Sequence, residues 1–204
     1  MQKLAIFGAG GHGAVIADIL EALNIVYLVI DDTPQTKQLN GIEAITKAEF
    51  LALKNAKEYG VVLAIGNNAT RKSLYEFFLQ KGFCLPSVIH PSAIISKSAR
   101  ISDAVVVFPN AVINARAKVG IGAIINTASV VEHDCSVGAF AHIAPNATLC
   151  GSVGIGDLTH IGAGSVVIEG KSVGENCVIG AGSVVINAIP SFKKMVGNPA
   201  KKEI

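Results

Sequence analysis

Two stretches of the chain combine residue types and spacings that suit chemistry. The first is Gly8-Ala9-Gly10-Gly11-His12-Gly13, followed 18 and 19 residues on by Asp31-Asp32. A run of G-x-G-x-x-G form turns tightly and brings backbone N–H groups against a phosphate, and an acid about 20 residues further on suits a ribose hydroxyl. His12 lies inside that loop, where a phosphate or sugar would sit. Gly66-Asn67-Asn68 with Arg71 is a related polar cluster. The second stretch is Val131-Glu132-His133-Asp134-Cys135. An imidazole beside a carboxylate is the minimal general base, because the acid raises imidazole basicity and sets the tautomer. His142 and His160 follow, 18 residues apart. Three histidines raise the question of a metal, but no His pair a few residues apart completes a ligand set, so none is expected. Plainer alternatives stand beside each reading: a glycine turn without ligand, a solvated His133, and Asn67 and Asn68 as turn or cap residues.

The elements around the first stretch read as βαβαβ. Lys3-Phe7 is a buried strand, the glycines form a loop, and Ala14 to Leu23 is a helix with Val15, Ile16, Ile19, Leu20 and Leu23 on one face. A second strand, Ile25-Ile30, ends in the paired acids. A short helix around Ala48-Lys54 precedes a third strand, Val61-Ile65, and a helix from about Thr70 to Lys81. The pattern implies a small parallel sheet with ligands at its carboxyl edge. A dinucleotide such as NAD needs two such halves and this region supplies one, so a nucleoside diphosphate joined to something else fits better.

Past Pro86 the periodicity changes to six. From Ile89 to Val185, every sixth residue is Ile, Val or Leu without exception. Four places after each aliphatic the chain is mostly Ala, Ser, Thr or Cys, and Gly directly follows it at 120, 138, 156, 162, 174 and 180. This is the hexapeptide signature of a parallel β-helix, in which three hexads make one triangular coil and the aliphatics stack inward. Five to six coils at ~4.8 Å give a prism about 25 to 30 Å tall. His133 should then project from a corner, His142 and His160 should stack on adjacent coils, and Cys135 should point inward, which argues against a covalent thiol intermediate.

Composition agrees. Of 204 residues 50% are hydrophobic, yet only 5% are aromatic and 21 are glycine, which suits a core of small and β-branched side chains. A formal charge of +2 with scattered Lys and Arg speaks against nucleic acid as a partner. No apolar run approaches the roughly 20 residues of a membrane span, and no signal segment is evident, so a cytoplasmic location is expected. Cys84, Cys135, Cys150 and Cys177 show no CxxC pair and are read as reduced thiols.

In the order and spacing of all these segments the chain resembles the sialic-acid-O-acetyltransferase-type hexapeptide sugar acyltransferases, and among them the UDP-4-amino-sugar N-acetyltransferases of the bacillosamine pathway. The resemblance implies a Rossmann-like α/β domain over residues 1–86 that binds a UDP-amino-sugar, through Gly10, Gly11, His12, Gly13, Asp31, Asp32, Gly66, Asn67 and Arg71. It implies a left-handed parallel β-helix over residues 87–204 and a homotrimer with acetyl-CoA between neighbouring subunits. By the same resemblance His133 is the general base and Asp134 replaces a supporting Glu. His142 and Gly151 match positions near the thioester, Gly162, Ala163, Gly180 and Ala181 match the pantetheine groove, and Val196 to Lys201 resembles a CoA-binding closing segment. Gly10-Gly11-His12-Gly13 departs from a Ser-Gly-His-Gly form of the loop, so backbone must replace that serine. The implied reaction is direct acetyl transfer to the sugar 4-amine, with a backbone N–H near Gly151 facing the oxyanion. Acetylation of a sugar hydroxyl would use the same groups, and a non-catalytic sugar-nucleotide-binding trimer is a further alternative.

Overall fold

The structure is a computed structural model that describes residues 3–33 and 37–204. The chain divides into two compact units, Met1–Pro91 and Ser92–Ile204. The division falls later than the composition shift at Pro86, because Val88 is buried and strand Val88–Ile89 packs on the first helix.

The first unit runs β1 (Lys3–Phe7), α1 (Gly11–Ala22), β2 (Tyr27–Ile30), β3 (Gln38–Leu39), β4 (Ile42–Ile45), α2 (Lys47–Ala52), β5 (Tyr59–Leu63) and α3 (Asn68–Gln80), with a 3-10 turn at Ala56–Glu58. Strands β4, β2, β1 and β5 lie side by side in parallel, and β3 pairs antiparallel on the edge of β4. Three strands and three helices were expected; the β3–β4 hairpin was not. Its turn is Asn40-Gly41 with φ of 49° and 83°, the two-residue conformation that Asn-Gly favours. Helix α1 buries Ile16, Ala17, Ile19 and Leu20 on one face, but it begins at Gly11 rather than Ala14. Thus His12 and Gly13 belong to its first turn. Glycine is a poor helix former, yet a Cβ on Gly13 would overlap the Gly8 carbonyl oxygen, so packing overrides propensity there. Thr46 and Glu49 close a reciprocal capping box on α2.

The second unit is the left-handed parallel β-helix. Its two-residue strands stack in parallel at 18-residue offsets on three faces. The inward aliphatics from Val107 to Val185 are all buried, and Ala111, Ala117, Ala123, Ser129, Cys135, Ala141, Ala147, Thr159, Ser165, Cys177 and Ser183 fill the small slots between them. Six strands on the face from Ile94–Ile95 to Val184–Val185 make the stack ~24 Å tall at ~4.8 Å per step. Every sixth residue from Ala104 to Gly182 has φ between 52° and 69°. These left-handed corners turn the chain from one face to the next, and eight of the fourteen are Gly, Asn or Asp, the residues that tolerate that region best. The glycine after the aliphatic has a different cause. A Cβ on Gly138 would lie 2.5 Å from Asp157 N, and one on Gly162 2.5 Å from the Ile179 carbonyl oxygen. At these positions the backbone of the next coil leaves no room for a side chain. Beyond Val185 the strand Lys194–Val196 pairs in parallel with Val178–Ile179, and Lys202–Glu203 folds back antiparallel on it. Hydrogen bonds from Val184 N to Gly197 O and from Ala200 N to Val184 O lay this segment against the last coil.

Candidate functional site

In the first unit the predicted residues gather at the carboxyl edge of the sheet. Gly8 has φ of 114°, and a Cβ there would sit 2.8 Å from the Ala64 carbonyl oxygen, so only glycine lets the loop pass β5. Gly10 caps α1 without a side-chain hydrogen bond. A Cβ on Gly10 or Gly11 would meet nothing within 4 Å, leaving room at the N–H groups of the helix start. Asp31 at the end of β2 accepts from Ala9 N (2.9 Å), Thr33 N (2.8 Å), Thr33 Oγ1 (3.0 Å) and Lys37 Nζ (2.7 Å). Burial alone would raise its pKa, but Lys37 and the N–H donors outweigh it and bring it down to about 2. Asp31 is therefore an anion that pins the glycine loop to β2. Asp32 is more exposed and pairs with Lys47 at 3.3 Å.

Arg71 is 1% exposed. Its guanidinium donates to the carbonyls of Ile65 (2.9 Å) and Gly66 (3.3 Å) and to Asn68 Oδ1 (2.9 Å), and burial lowers its pKa to about 10. It ties down the β5–α3 loop from within. Asn67 caps α3 by accepting from Thr70 N at 2.9 Å. His12 is half-buried; burial first, and the Arg71 charge second, push its pKa below the ordinary value. It is thus a neutral imidazole at pH 7 beside the open helix start.

In the second unit His133 stands on the corner after strand Val130–Val131, and Asp134 occupies the left-handed position with φ of 61°. His133 Nδ1 lies 2.9 Å from Asp134 Oδ2. An ionised carboxylate only accepts, so Nδ1 carries a proton, and in the neutral ring the lone pair is on Nε2. The ring sits over Gly151, the residue one coil further on: a Cβ there would be 2.7 Å from Cε1 and 2.8 Å from Nε2. Asp134 also receives a two-pronged bond from Arg116, one coil earlier, with Nε to Oδ1 at 2.6 Å and Nη2 to Oδ2 at 2.7 Å. Arg116 first and His133 second hold the Asp134 carboxyl far below the usual carboxylate range. Glu132 accepts from Asn114 Nδ2 at 2.9 Å and from His133 N at 3.1 Å. An open cleft of about 830 Å³ beside the corner is lined by Lys97, Ser98, Arg100, Arg116, Lys118 and Asp134 among others. Arg116, Asn114 and the seat formed by Gly151 were not read from the sequence as parts of this assembly. The signal for all three was the 18-residue offset.

His142 and His160 are cross-strand neighbours, with ring centroids 4.8 Å apart and planes at 87°. Asn126 Oδ1 accepts from Thr127 N at 2.7 Å, so its amide nitrogen faces His142 Nε2 at 3.0 Å. Nε2 therefore accepts and the His142 proton is on Nδ1. Gly162 and Gly180 are stacking glycines on this side of the prism, and Ala163 and Ala181 are exposed corner residues beside them. Cys135 is buried with Sγ 3.1 Å from the Cys150 carbonyl oxygen, and burial raises its pKa. Among the described residues no three His, Cys, Asp or Glu side chains form a group that could hold a metal, and no helix is long and apolar enough to cross a membrane.

A half-Rossmann unit followed by a hexapeptide β-helix bearing an exposed His–carboxylate pair defines the class of two-domain hexapeptide acyltransferases. Residues 3–78 match the family model described as the PglD N-terminal domain. Over 112 residues the chain is 38% identical to UDP-N-acetylbacillosamine N-acetyltransferase of Bacillus subtilis; that match covers 52% of this chain and about half, 51%, of that protein. The acetyltransferase domain of PglB from Neisseria gonorrhoeae superposes with a TM-score of 0.93 at 38% identity, covering 98% of this chain and 99% of that one. The same domain has been solved with acetyl coenzyme A. PerB from Caulobacter crescentus, solved with CoA and GDP-perosamine, superposes with a TM-score of 0.92 at 34% identity over 98% of this chain and 96% of that one. The chain belongs to the acetyltransferase family that includes the PglB acetyltransferase domain and PerB, which it matches over nearly its whole length.

Proposed function

We propose that the protein transfers the acetyl group of acetyl-CoA to the 4-amino group of a UDP-linked amino sugar. The observation that carries this is the His133–Asp134 pair: it presents Nε2 as a proton acceptor at an exposed corner, in a chain similar over its length to acetyltransferases solved with acetyl-CoA or with CoA and a nucleotide sugar. The sugar amine attacks the thioester carbonyl while His133 Nε2 takes the amine proton. The tetrahedral oxyanion, held by the N–H near Gly151, collapses and expels CoA thiolate. Asp134 keeps the Nδ1 proton in place and stabilises the imidazolium. The raised, buried Cys135 is no rival nucleophile. The open start of α1, with neutral His12 beside it, suits the nucleotide sugar, and Asp31 and Arg71 hold its walls. The lane of His142, Gly162, Ala163, Gly180 and Ala181 suits the acetyl and pantetheine parts of acetyl-CoA, which would act as co-substrate.

A homotrimer is part of the same reading. Outward residues on one face of the prism are Ile94, Val112, Val130, Thr148, Val166 and Val184, a lane that is aliphatic except for Thr148 and is left partly exposed. A neighbouring face carries Arg100, Lys118, Ser136, Gly154 and Ser172 in the same lane. An apolar outer face of this length supports burial against another copy. The test is a panel of UDP- and GDP-linked amino sugars with acetyl-CoA, read by thiol release and product mass. His133→Ala is expected to stay folded and lose roughly 10² to 10⁴ in rate. Wild-type turnover in that variant would overturn the assignment.

A further inference from the structure

Among the described residues, Arg116 is the side chain besides His133 that binds Asp134, and nothing in the reaction outlined above assigns it a task. Its guanidinium is largely exposed, and exposed ion pairs add little to stability, typically ~0 to 1 kcal/mol. What such a fork does supply is direction: two parallel bonds to one carboxylate fix its plane. Here the fork engages both oxygens, and Oδ2 is shared between Arg116 Nη2 at 2.7 Å and His133 Nδ1 at 2.9 Å. The backbones at both ends are also set. Arg116 and Asp134 occupy successive left-handed corners of one column, with φ of 60° and 61°, and Arg116 N donates to Ser98 Oγ at 3.1 Å.

We propose that Arg116 is a positioning residue, holding the Asp134 carboxylate so that Oδ2 stays aimed at His133 Nδ1 and Nε2 remains the proton acceptor. The inference rests on the reading of His133 as the base. A lysine at 116 would supply the charge without the fork. The other charged groups around the pair are Glu132, which binds the His133 backbone N–H, and Lys97, Arg100 and Lys118, which line the same cleft. Asp134 is the only carboxylate among that cleft's lining residues.

The test compares Arg116→Gln and Arg116→Lys, each alone and with Asp134→Asn. Arg116→Gln should lower kcat roughly tenfold with both KM values within about twofold, and Arg116→Lys should recover only part of that loss. Loss of a nearby cation favours imidazolium, so the acidic limb of the kcat/KM profile should move to higher pH by roughly half a unit in the Gln variant and stay in place in the Lys variant. Nitrogen NMR of His133 should show the Nδ1–H tautomer in the wild type and a mixture in Arg116→Gln. In the Asp134→Asn background the Arg116→Gln change should cost nothing further. An unchanged kcat and tautomer, or an equal loss in the Asp134→Asn background, overturns the proposal. If the wild type transfers no acetyl group, the functional reading falls, and the tautomer spectra still decide whether Arg116 positions the pair.

Discussion

Gly151→Ala separates catalysis from stability. The Cβ introduced would lie 2.7 Å from His133 Cε1 and 2.8 Å from Nε2, whereas ordinary contact begins at 3.4 Å. The imidazole must therefore retreat by about 0.7 Å. Its tether is the 2.9 Å bond from Nδ1 to Asp134, and a shift of that size stretches or breaks the bond and moves Nε2 off the line of attack. Misplacement of the order of 1 Å costs up to ~100-fold in rate, so kcat should fall roughly ten- to hundredfold.

Stability should behave differently. The obstacle is the end of an exposed side chain rather than backbone, and Gly151 is not in the left-handed region. Alanine also lowers unfolded-chain entropy, a gain of roughly 0.4 to 1 kcal/mol. The melting temperature should hold or rise slightly. Gly154→Ala is the control from the same coil: its Cβ would meet only Ser136 Oγ at 3.6 Å and Ser172 Cβ at 3.9 Å, so activity should match the wild type while the melting temperature holds or rises slightly, as for Gly151→Ala. Thiol release with acetyl-CoA and a UDP-amino-sugar, alongside thermal melts, gives both readouts. Wild-type kcat in Gly151→Ala, or a loss of activity that simply tracks a loss of melting temperature, would refute the argument that Gly151 seats the base.

Gly138→Ala should do the opposite, because its Cβ would press on the backbone of the next coil, 2.5 Å from Asp157 N; a cost of roughly 3 kcal/mol or more is expected, read by denaturant titration. Asp31→Asn tests the loop anchor. Its folded pKa of about 2 lies below an unfolded value of ~3.9, so the carboxylate contributes roughly 2 kcal/mol that is complete above pH ~4 and is lost as pH falls toward 2. The variant should therefore be less stable than wild type at pH 7 and nearly equal to it near pH 2; equal stability at pH 7 would count against the anchoring role. Thr46→Ala removes the reciprocal cap of α2 and should cost about 1 kcal/mol without changing turnover.

The β-helix was legible because one requirement, a buried aliphatic, recurs every six residues and tolerates no slip. Its corners were less so. Asn110, Asp134, Asn146 and Asn176 carry the left-handed preference openly, but Arg116, Phe140 and Leu158 adopt the same φ, since the coils on either side impose the turn whatever residue occupies it. In the α/β unit, α1 begins before the apolar stripe because Gly13 packs on Gly8, a tertiary contact that helix propensity does not contain. The Asn40-Gly41 hairpin went unread although its turn signal is strong, because strands of two and four residues offer too short an alternation to flag.

The same geometry explains which parts of the site could be seen. His133 and Asp134 are adjacent in sequence, and their chemistry shows without a fold. Their other partners lie one coil away, where 18 residues of chain amount to a single strand spacing of ~4.8 Å. Adding 18 to 133 reaches Gly151, the seat of the imidazole; subtracting 18 from 134 and 132 reaches Arg116 and Asn114, which bind the two flanking carboxylates. The column Ser98, Arg116, Asp134 is then a chain of contacts, hydroxyl to backbone N–H and guanidinium to carboxylate, that ends on the Nδ1 proton of His133. A motif read along the sequence meets only one member of each column. In a solenoid the partners of a side chain such as His133 are to be sought at the repeat length as well as beside it, and substitution along that column should perturb the His133 imidazole more than substitution of Val130 or Ser136, three residues to either side.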